Sequence, residues 1–357
     1  MGEKMIRKTF KILMCVVVIL LLIVIAYLVF MTITDYKPEE VINIEIENNQ
    51  KDVVKLDKEM TLTTYNIGYC GMDEEIHFFM DGGSLSRSIS KEKTEANLKG
   101  SVDALKEING DFTFLQEVDI NATRSYKVDQ YEEIKNEFKD FTTSFAINYK
   151  TPWVPIPLTK PHGKVLAGLM NLSKYKVDES TRYSLPGQEK WPRQLAELDR
   201  CILVNRIPVE NSKELVLINV HLSAYDKGGF IRKQQLGFLQ QFLKEEYDKG
   251  NYVIAGGDFN HQIPGSDPKK FEATEEWPSW LQMIPNEFLL NGYTWKFDEN
   301  TPTVRTAGTP YVKGENFRAI IDGFIVSENI KTIDIKGKEL DFKYSDHNPL
   351  TIKFKLS

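Results

Sequence analysis

The sequence predicts an α/β fold with its chemistry at strand ends, preceded by one membrane-spanning helix. Three observations carry this. From Met60 onward, apolar β-type runs alternate with helical ones. Several of those runs end in a short block that closes on a carboxylate, an amide or an imidazole. The N-terminus holds an uncharged apolar run long enough to cross a bilayer.

That run comes first along the chain. Residues 12–31 contain no charge, and a helix of that length matches a bilayer core of about 30 Å. Lys4, Arg7, Lys8 and Lys11 precede it, so the positive-inside rule leaves residues 1–11 in the cytoplasm and sends the remainder outside. The competing reading is a cleaved signal peptide. That requires a shorter apolar core, about 7–15 residues, and a small-residue cleavage site. Ala26-Tyr27-Leu28-Val29-Phe30 offers none, and Leu13-Met14 is too bulky to make Cys15 a lipoprotein site. The expectation is a single-pass cell-membrane protein with a cytoplasmic N-terminus. Residues 32–58, polar with Pro38 and several Glu, read as a stalk, with a short strand near 41–46. Residues 59–357 are then the extracellular catalytic domain.

Composition narrows the classes. Hydrophobic content of 41% suffices for a large core. One Glu against four Lys/Arg in residues 1–31 (+3) leaves −9 on the remainder of a chain whose net charge is −6. Such an acidic remainder argues against a broad basic surface for tracking nucleic acid, though not against a local phosphate pocket. With three cysteines and Cys15 in the apolar run, only Cys70 and Cys201 could pair, and the sequence leaves that open.

Within the domain, Leu98, Val102, Leu105 and Ile108 recur at helical spacing and Gly110 can stop that helix. Asp111-Phe112-Thr113-Phe114-Leu115 reads as a strand delivering Glu117. Another strand over 215–220 delivers His221. A helix over 231–247 buries Leu236, Leu239, Phe242 and Leu243 and ends at Gly250. Val253-Ile254-Ala255 then delivers Asp258; the bland alternative for Gly256-Gly257 before it is that they permit a tight turn. Strand, ligand, helix, strand is the rhythm of a sheet with function at its edge. Two stretches resist it and read as loops: the Pro-rich segment around Trp153, and 264–285 with Trp277 and Trp280.

Six blocks carry the chemistry: Thr64-Tyr65-Asn66-Ile67, Leu115-Gln116-Glu117-Val118, Asn219-Val220-His221-Leu222, Gly256-Gly257-Asp258-Phe259-Asn260, Ile321-Asp322-Gly323 and Ser345-Asp346-His347-Asn348-Pro349. Any one has a bland reading: a lone Glu ending a strand is usually solvated, and an Asp-His pair is usually a turn. Together they supply what phosphoester hydrolysis needs, namely neutralised phosphoryl charge, an activated water and a stabilised leaving oxygen. Glu117, Asp322 and Asp346 are hard oxygen ligands suited to Mg²⁺ or Mn²⁺, and the absence of thiolate or multi-His clusters disfavours zinc. Asn66 and Asn260 can orient a phosphate, a water or a metal ligand without adding negative charge. His221 and His347 can exchange a proton near neutral pH.

The order of these blocks resembles the endonuclease/exonuclease/phosphatase superfamily, the deoxyribonuclease I-like fold, over residues 60–357. The resemblance implies a four-layer α-β-β-α sandwich and a membrane-anchored, bacterial-type member of that group. It identifies Gly168-Leu169-Met170-Asn171-Leu172-Ser173-Lys174 with the family's central strand. It also implies roles. Asn66, Glu117 and Asp346 belong to the metal site, with Glu117 as principal Mg²⁺ ligand. Asp258 orients or deprotonates the nucleophilic water, and Asn260 holds the phosphate. Asp322 orients His347, described in the family as a general base or a phosphate contact. His221 contacts the phosphate or assists the leaving group, and Arg124 reaches the substrate phosphate. The tyrosine that abasic-site enzymes carry before their central strand is missing from His162-Gly163-Lys164-Val165-Leu166-Ala167, which weakens a DNA-repair reading. The function expected is a Mg²⁺-dependent (Mn²⁺ as substitute) extracellular phosphodiesterase or phosphatase acting on a phospholipid, a small phosphodiester or nucleic acid. The alternatives are an extracellular nuclease of the same fold and a non-catalytic binding protein that kept it. Oligomeric state is not legible.

Overall fold

The computed structural model describes residues 2–224, 226 and 228–357. In chain order the first elements are α1 (Gly2–Ile33), β1 (Val41–Asn43), β2 (Met60–Asn66), α2 (Lys91–Ile108), β3 (Phe112–Asp119) and α3 (Gln130–Glu137). Then come β4 (Thr142–Val154), β5 (Gly163–Ser173), β6 (Glu179–Ser184), β7 (Cys201–Pro208), β8 (Glu214–His221), α4 (Phe230–Asp248) and β9 (Tyr252–Asp258). The chain closes with β10 (Tyr293–Lys296), β11 (Val304–Arg305), β12 (Arg318–Ala319), β13 (Asp322–Ser327), β14 (Ile330–Gly337) and β15 (Leu350–Leu356).

Two large mixed sheets organise these strands among the described residues. One has seven strands in the order β1-β6-β7-β8-β9-β13-β10, the other six in the order β14-β15-β2-β3-β5-β4. Side-chain alternation assigns their faces. Leu215 and Leu217 of β8 join Leu62, Phe112, Phe114, Ile254, Phe324 and Ile352 in the core between the sheets. Val216, Ile218 and Val220 face the other way, under Leu236, Leu239 and Phe242 of α4. On the far side, Leu98, Val102 and Leu105 of α2 and Ile134 of α3 cover Tyr65, Leu115 and Met170. The layers therefore run α-β-β-α, as the family resemblance implied.

The predicted helices form where the periodicity puts them. Ser90 caps α2 by accepting from the Lys93 amide, and Asn109, not Gly110, takes the left-handed C-cap at φ 53°.

Three expectations are corrected. Residues 32–58 are not a free stalk: β1 pairs with β6, Glu47 bridges Thr143, and Val54 is buried in the inter-sheet core. Trp153 lies in β4, not in a loop. β5 stands one strand from the edge of its sheet, between β3 and β4. Gly256 and Gly257 belong to β9 itself, which removes the bland alternative of a tight turn. A Cβ on Gly256 would come within 2.3 Å of the Phe324 ring, and one on Gly257 within 2.1 Å of the Val220 carbonyl, so these positions are glycine because neighbouring strands leave no room. Cys70 and Cys201 are both buried and free.

Toward one end the inter-sheet core turns polar. Asn219 of β8 donates to Asn171 Oδ1 (2.9 Å) and to the Leu115 carbonyl (3.1 Å) in the opposite sheet, while Gln116 Nε2 donates to Asn219 Oδ1 (2.7 Å). All three side chains are buried. Removing one member strands the others without solvent. Asn219→Ala is expected to lower unfolding free energy by about 2 kcal/mol, read as a shift in the urea midpoint; an unchanged midpoint would show that the ladder ties nothing together.

Candidate active site

His221 ends β8, Asp258 ends β9 and Asp322 begins β13. The ladders pair His221 with Asp258 and Asp258 with Asp322, so the three stand in one row across adjacent strands. Their alternation matches that of Leu217, Ile254 and Phe324, which puts all three side chains on the inward face, beyond the last apolar layer. From the opposite sheet Asn66 ends β2 on the same inward parity as Leu62.

Glu117 reaches this space only because β3 breaks step. Leu115 and Val118 both belong to the core under α2 and α3, which strict alternation forbids for residues three apart. The register with β5 shifts between them, and Glu117 takes φ 57° in the left-handed region. This bulge re-aims the carboxylate from the helix side to the cleft.

The Ser345-Asp346-His347 turn is tied across the chain's length: Ser345 Oγ donates to the Asn66 carbonyl at 2.8 Å. Next to it Gly68 sits at φ +50°, where a Cβ would lie 2.9 Å from Asp346 Oδ1, so the missing side chain is what admits Asp346.

The contacts form one network. His347 Nδ1 meets Asp322 Oδ2 at 2.8 Å, which leaves Nε2 to face Asp258 Oδ2 at 3.7 Å. His221 Nε2 approaches the same oxygen at 3.6 Å. The Asp258 carboxylate accepts from Asn66 Nδ2 (3.0 Å), from the Asn260 amide (2.7 Å) and from Asn260 Nδ2 (3.3 Å). Asn66 Nδ2 also reaches Glu117 Oε1 at 3.5 Å, while its Oδ1 accepts from the Gly68 amide. All of the predicted site residues except Asp322 line a single cleft of about 700 Å³. Asp322 stands behind His347, and its Oδ1 is buried without a partner.

Charge is unevenly distributed here. Burial by itself would depress His347, but the Asp322 and Asp258 carboxylates outweigh it and hold the pKa up at about 10. Burial pushes Asp258 up to about 7, with Asp322 adding to it and His347 opposing. Asp346 rises to about 6 through burial and the nearby Glu117 charge, again opposed by His347. Burial and the Arg200 charge drive His221 well below the ordinary histidine value, so it is neutral.

Two carboxylates confined together in this way, Glu117 and Asp346, form an incomplete hard-oxygen donor set. Among the described residues no three His, Cys, Asp or Glu groups cluster tightly enough to enclose an ion. Such a set suits Mg²⁺, which binds through one or two carboxylates and keeps several waters, and it does not suit zinc.

Arg124 is in the cleft but not free to roam. It forms bonds to buried Asp119 at 2.9 Å (Nη2) and 3.1 Å (Nε), stacks over Tyr69 at 4.1 Å, and brings Nη1 to 3.6 Å from Glu117 Oε2. Of three further arginines, Arg305 lines the cleft, whereas Arg232 and Arg318 hold the carbonyls of Trp280 and Glu272. One residue escaped the sequence reading. Arg200 lines the cleft, donates to the His221 carbonyl at 3.3 Å and is partly buried, with the Glu117 and Asp258 charges nearby. Only the β7–β8 pairing brings it there, and no local pattern announces that pairing.

No family model matches the chain. A curated relative, the inositol phosphosphingolipids phospholipase C of Schizosaccharomyces pombe, is 26% identical over 291 residues, 75% of this chain and 59% of that protein. The chain thus spans about three-fifths of the length of the relative it matches. Among solved structures, the endonuclease/exonuclease/phosphatase of Beutenbergia cavernae superposes with TM-score 0.53 at 16% identity, covering 84% of this chain and 72% of that one. The human Nocturnin catalytic domain, with bound sulfate anion, gives 0.52 at 15% identity over 88% and 97%. The chain has the deoxyribonuclease I-like fold. Its structural neighbours are members of the endonuclease/exonuclease/phosphatase superfamily, and in this fold the row at the ends of β8, β9 and β13 faces the end of β2 across the cleft.

His162, given no role from sequence, also lines the cleft, with Nδ1 2.6 Å from the Ser86 carbonyl. Burial and the Arg124 charge lower its pKa from 6.5 to about 3. The unfolded chain therefore takes up a proton at this residue near pH 6.5 while the folded chain refuses it until about pH 3. His162 thus lowers stability as the pH falls through that window. His162→Gln is expected to narrow the loss between pH 7 and pH 4, read as the denaturation midpoint of variant against wild type; parallel curves would contradict the assignment.

Proposed function

We propose that this chain is a membrane-anchored, Mg²⁺-dependent phosphoesterase with an extracellular catalytic domain. The observation that carries the reading is the Asp322–His347–Asp258 line, facing the Glu117/Asp346 carboxylate pair across one cleft. A binding module has no use for an oriented imidazole and an unfinished carboxylate pair in the same space. Glu117 and Asp346, with Asn66 beside them, would hold the cation, Mn²⁺ serving as a substitute. When bound it would neutralise phosphoryl charge and favour ionisation of water.

The remaining chemistry belongs to side chains. Asp258, held by three N–H donors with Oδ2 between two imidazole nitrogens, orients the attacking water and takes its proton. Asp322 fixes the His347 ring through Nδ1, so that Nε2 presents to the phosphoryl group. Asn260 and neutral His221 flank the same point and contact phosphate or the leaving oxygen. Arg124 is tied up by Asp119, so its part is to place Glu117 and to add positive potential, with Arg200, where a phosphate would sit.

A phosphoester joined to a lipid is the substrate class we infer. The relative named for phosphosphingolipid cleavage supports it, as does a helix of the right length to place the domain beside a bilayer. Lys4, Arg7, Lys8 and Lys11 before that helix support an external domain. In the full-length protein, Asp258→Asn and His347→Gln are each expected to lower hydrolysis of a bis-aryl phosphodiester at least ~100-fold while the fold persists. Full activity in either folded variant would remove these residues from the mechanism. Faster cleavage of plasmid DNA than of phospholipid would move the substrate class to nucleic acid.

A further inference from the structure

We propose that the domain seats its cleft mouth directly on the bilayer spanned by α1, through an apolar rim built from the end of β4 and the segment before β7. The inference rests on reading α1 as a span and the cleft as a phosphoesterase site.

The helix does not leave the domain on a tether. Tyr27 Oη donates to the Trp153 carbonyl at 3.0 Å, Trp191 Nε1 donates to Thr32 Oγ1 at 3.3 Å, and Met31 is only 1% exposed. Tyr27 lies four residues before the end of the apolar run at Met31, which is ~6 Å along a helix axis. The contact between helix and domain therefore falls within the interfacial zone of the membrane, not beyond it.

The surface around that contact has the matching character. Leu158 is 85% exposed, Trp191 56% and Ile156 53%. Single exposed apolar residues mean little, but these flank the helix contact on two segments that also touch, since Thr151 Oγ1 donates to the Leu195 carbonyl at 3.2 Å. Tryptophan and tyrosine at this depth are the residues that settle at membrane interfaces. Lys160 and Lys190 stand within two positions of Leu158 and Trp191, where they can meet anionic headgroups.

The cleft completes the picture. Its polar end holds Asp258 and His347, and its lining continues past Phe79 and Ile156 to Tyr27 and Leu28 of α1. A phospholipid in the leaflet beside α1 can therefore present its phosphoester at the polar end while its acyl chains stay in the membrane.

The test uses the full-length chain in vesicles of phosphatidylcholine and phosphatidylglycerol, with Cys15→Ser and a nitrobenzoxadiazole label on Leu158→Cys. Cys70 and Cys201 are buried and should not label. Lys331→Cys on β14, at the opposite edge of its sheet from β4, is the control. The expected result is blue-shifted emission at 158, quenched by lipid spin-labelled near the headgroup, with water-like emission at 331. Equal water exposure at the two positions would overturn the proposal. So would shielding of 158 that the headgroup spin label does not quench, since a second copy would then cover the rim. Failure of the protein to float with vesicles would instead reject the span. A Leu158→Glu/Trp191→Glu variant should keep turnover of the soluble diester and lose about tenfold or more on vesicle phospholipid; equal loss on both would overturn the rim. No turnover of either by wild type, with 158 still quenched, would reject the phosphoesterase reading alone.

Discussion

The inward faces of both sheets are apolar over most of their length and polar at one end, and the site is a consequence of that gradient. Along β8 the inward residues run Leu215, Leu217, Asn219, His221; along β9 they run Tyr252, Ile254, Gly256, Asp258. In β2 they run Leu62, Thr64, Asn66. Where the apolar residues stop, the sheets can no longer exclude polar groups from each other. The Gln116–Asn219–Asn171 ladder makes the transition, linking buried amides of the two sheets between oil and charge. Beyond it the sheets present ionisable groups across a cleft. Burial there is deep enough to push Asp258 and Asp346 up and His221 down, which only a rigid flanking core can sustain.

The elements legible in the sequence are those set by local pattern. α2 and α4 follow from apolar spacing, and β3, β8 and β9 from apolar runs that end in Glu117, His221 and Asp258. The candidate site residues stood out as a set because six blocks fall in a known order, and the structure brings all but Asp322 to the lining of one cleft, with Asp322 behind His347. What stayed hidden depends on pairing between distant strands. Arg200 enters the cleft only because β7 pairs with β8, and Gly256 is glycine only because Phe324 of β13 lies over it. Residues 32–58 looked like a stalk because they are polar; edge pairing with β6 recruits them regardless of composition. The bulge at Glu117 is likewise invisible in the sequence, since nothing in Gln116-Glu117-Val118 says which residue the partner strand will skip.

Electrostatics and topology both bear on the substrate class proposed above. The chain outside the N-terminal segment is acidic, and the cleft lining is rich in carboxylates too, so the positive potential of Arg124, Arg200 and a cationic His347 is confined to one spot. That favours a single phosphoester over a long polyanion, whose other phosphates would meet negative surface. Under the proposal that α1 spans a membrane, its docking against β4 sets the same cleft beside the bilayer.

The most direct test is hydrolysis of phosphatidylcholine and phosphosphingolipid vesicles by the full-length protein, with and without EDTA, in wild type and in Glu117→Gln. The account predicts turnover that EDTA abolishes and Mg²⁺ restores, and that Glu117→Gln lowers by about 100-fold or more without loss of fold. Turnover indifferent to EDTA, or retained in Glu117→Gln, would contradict it.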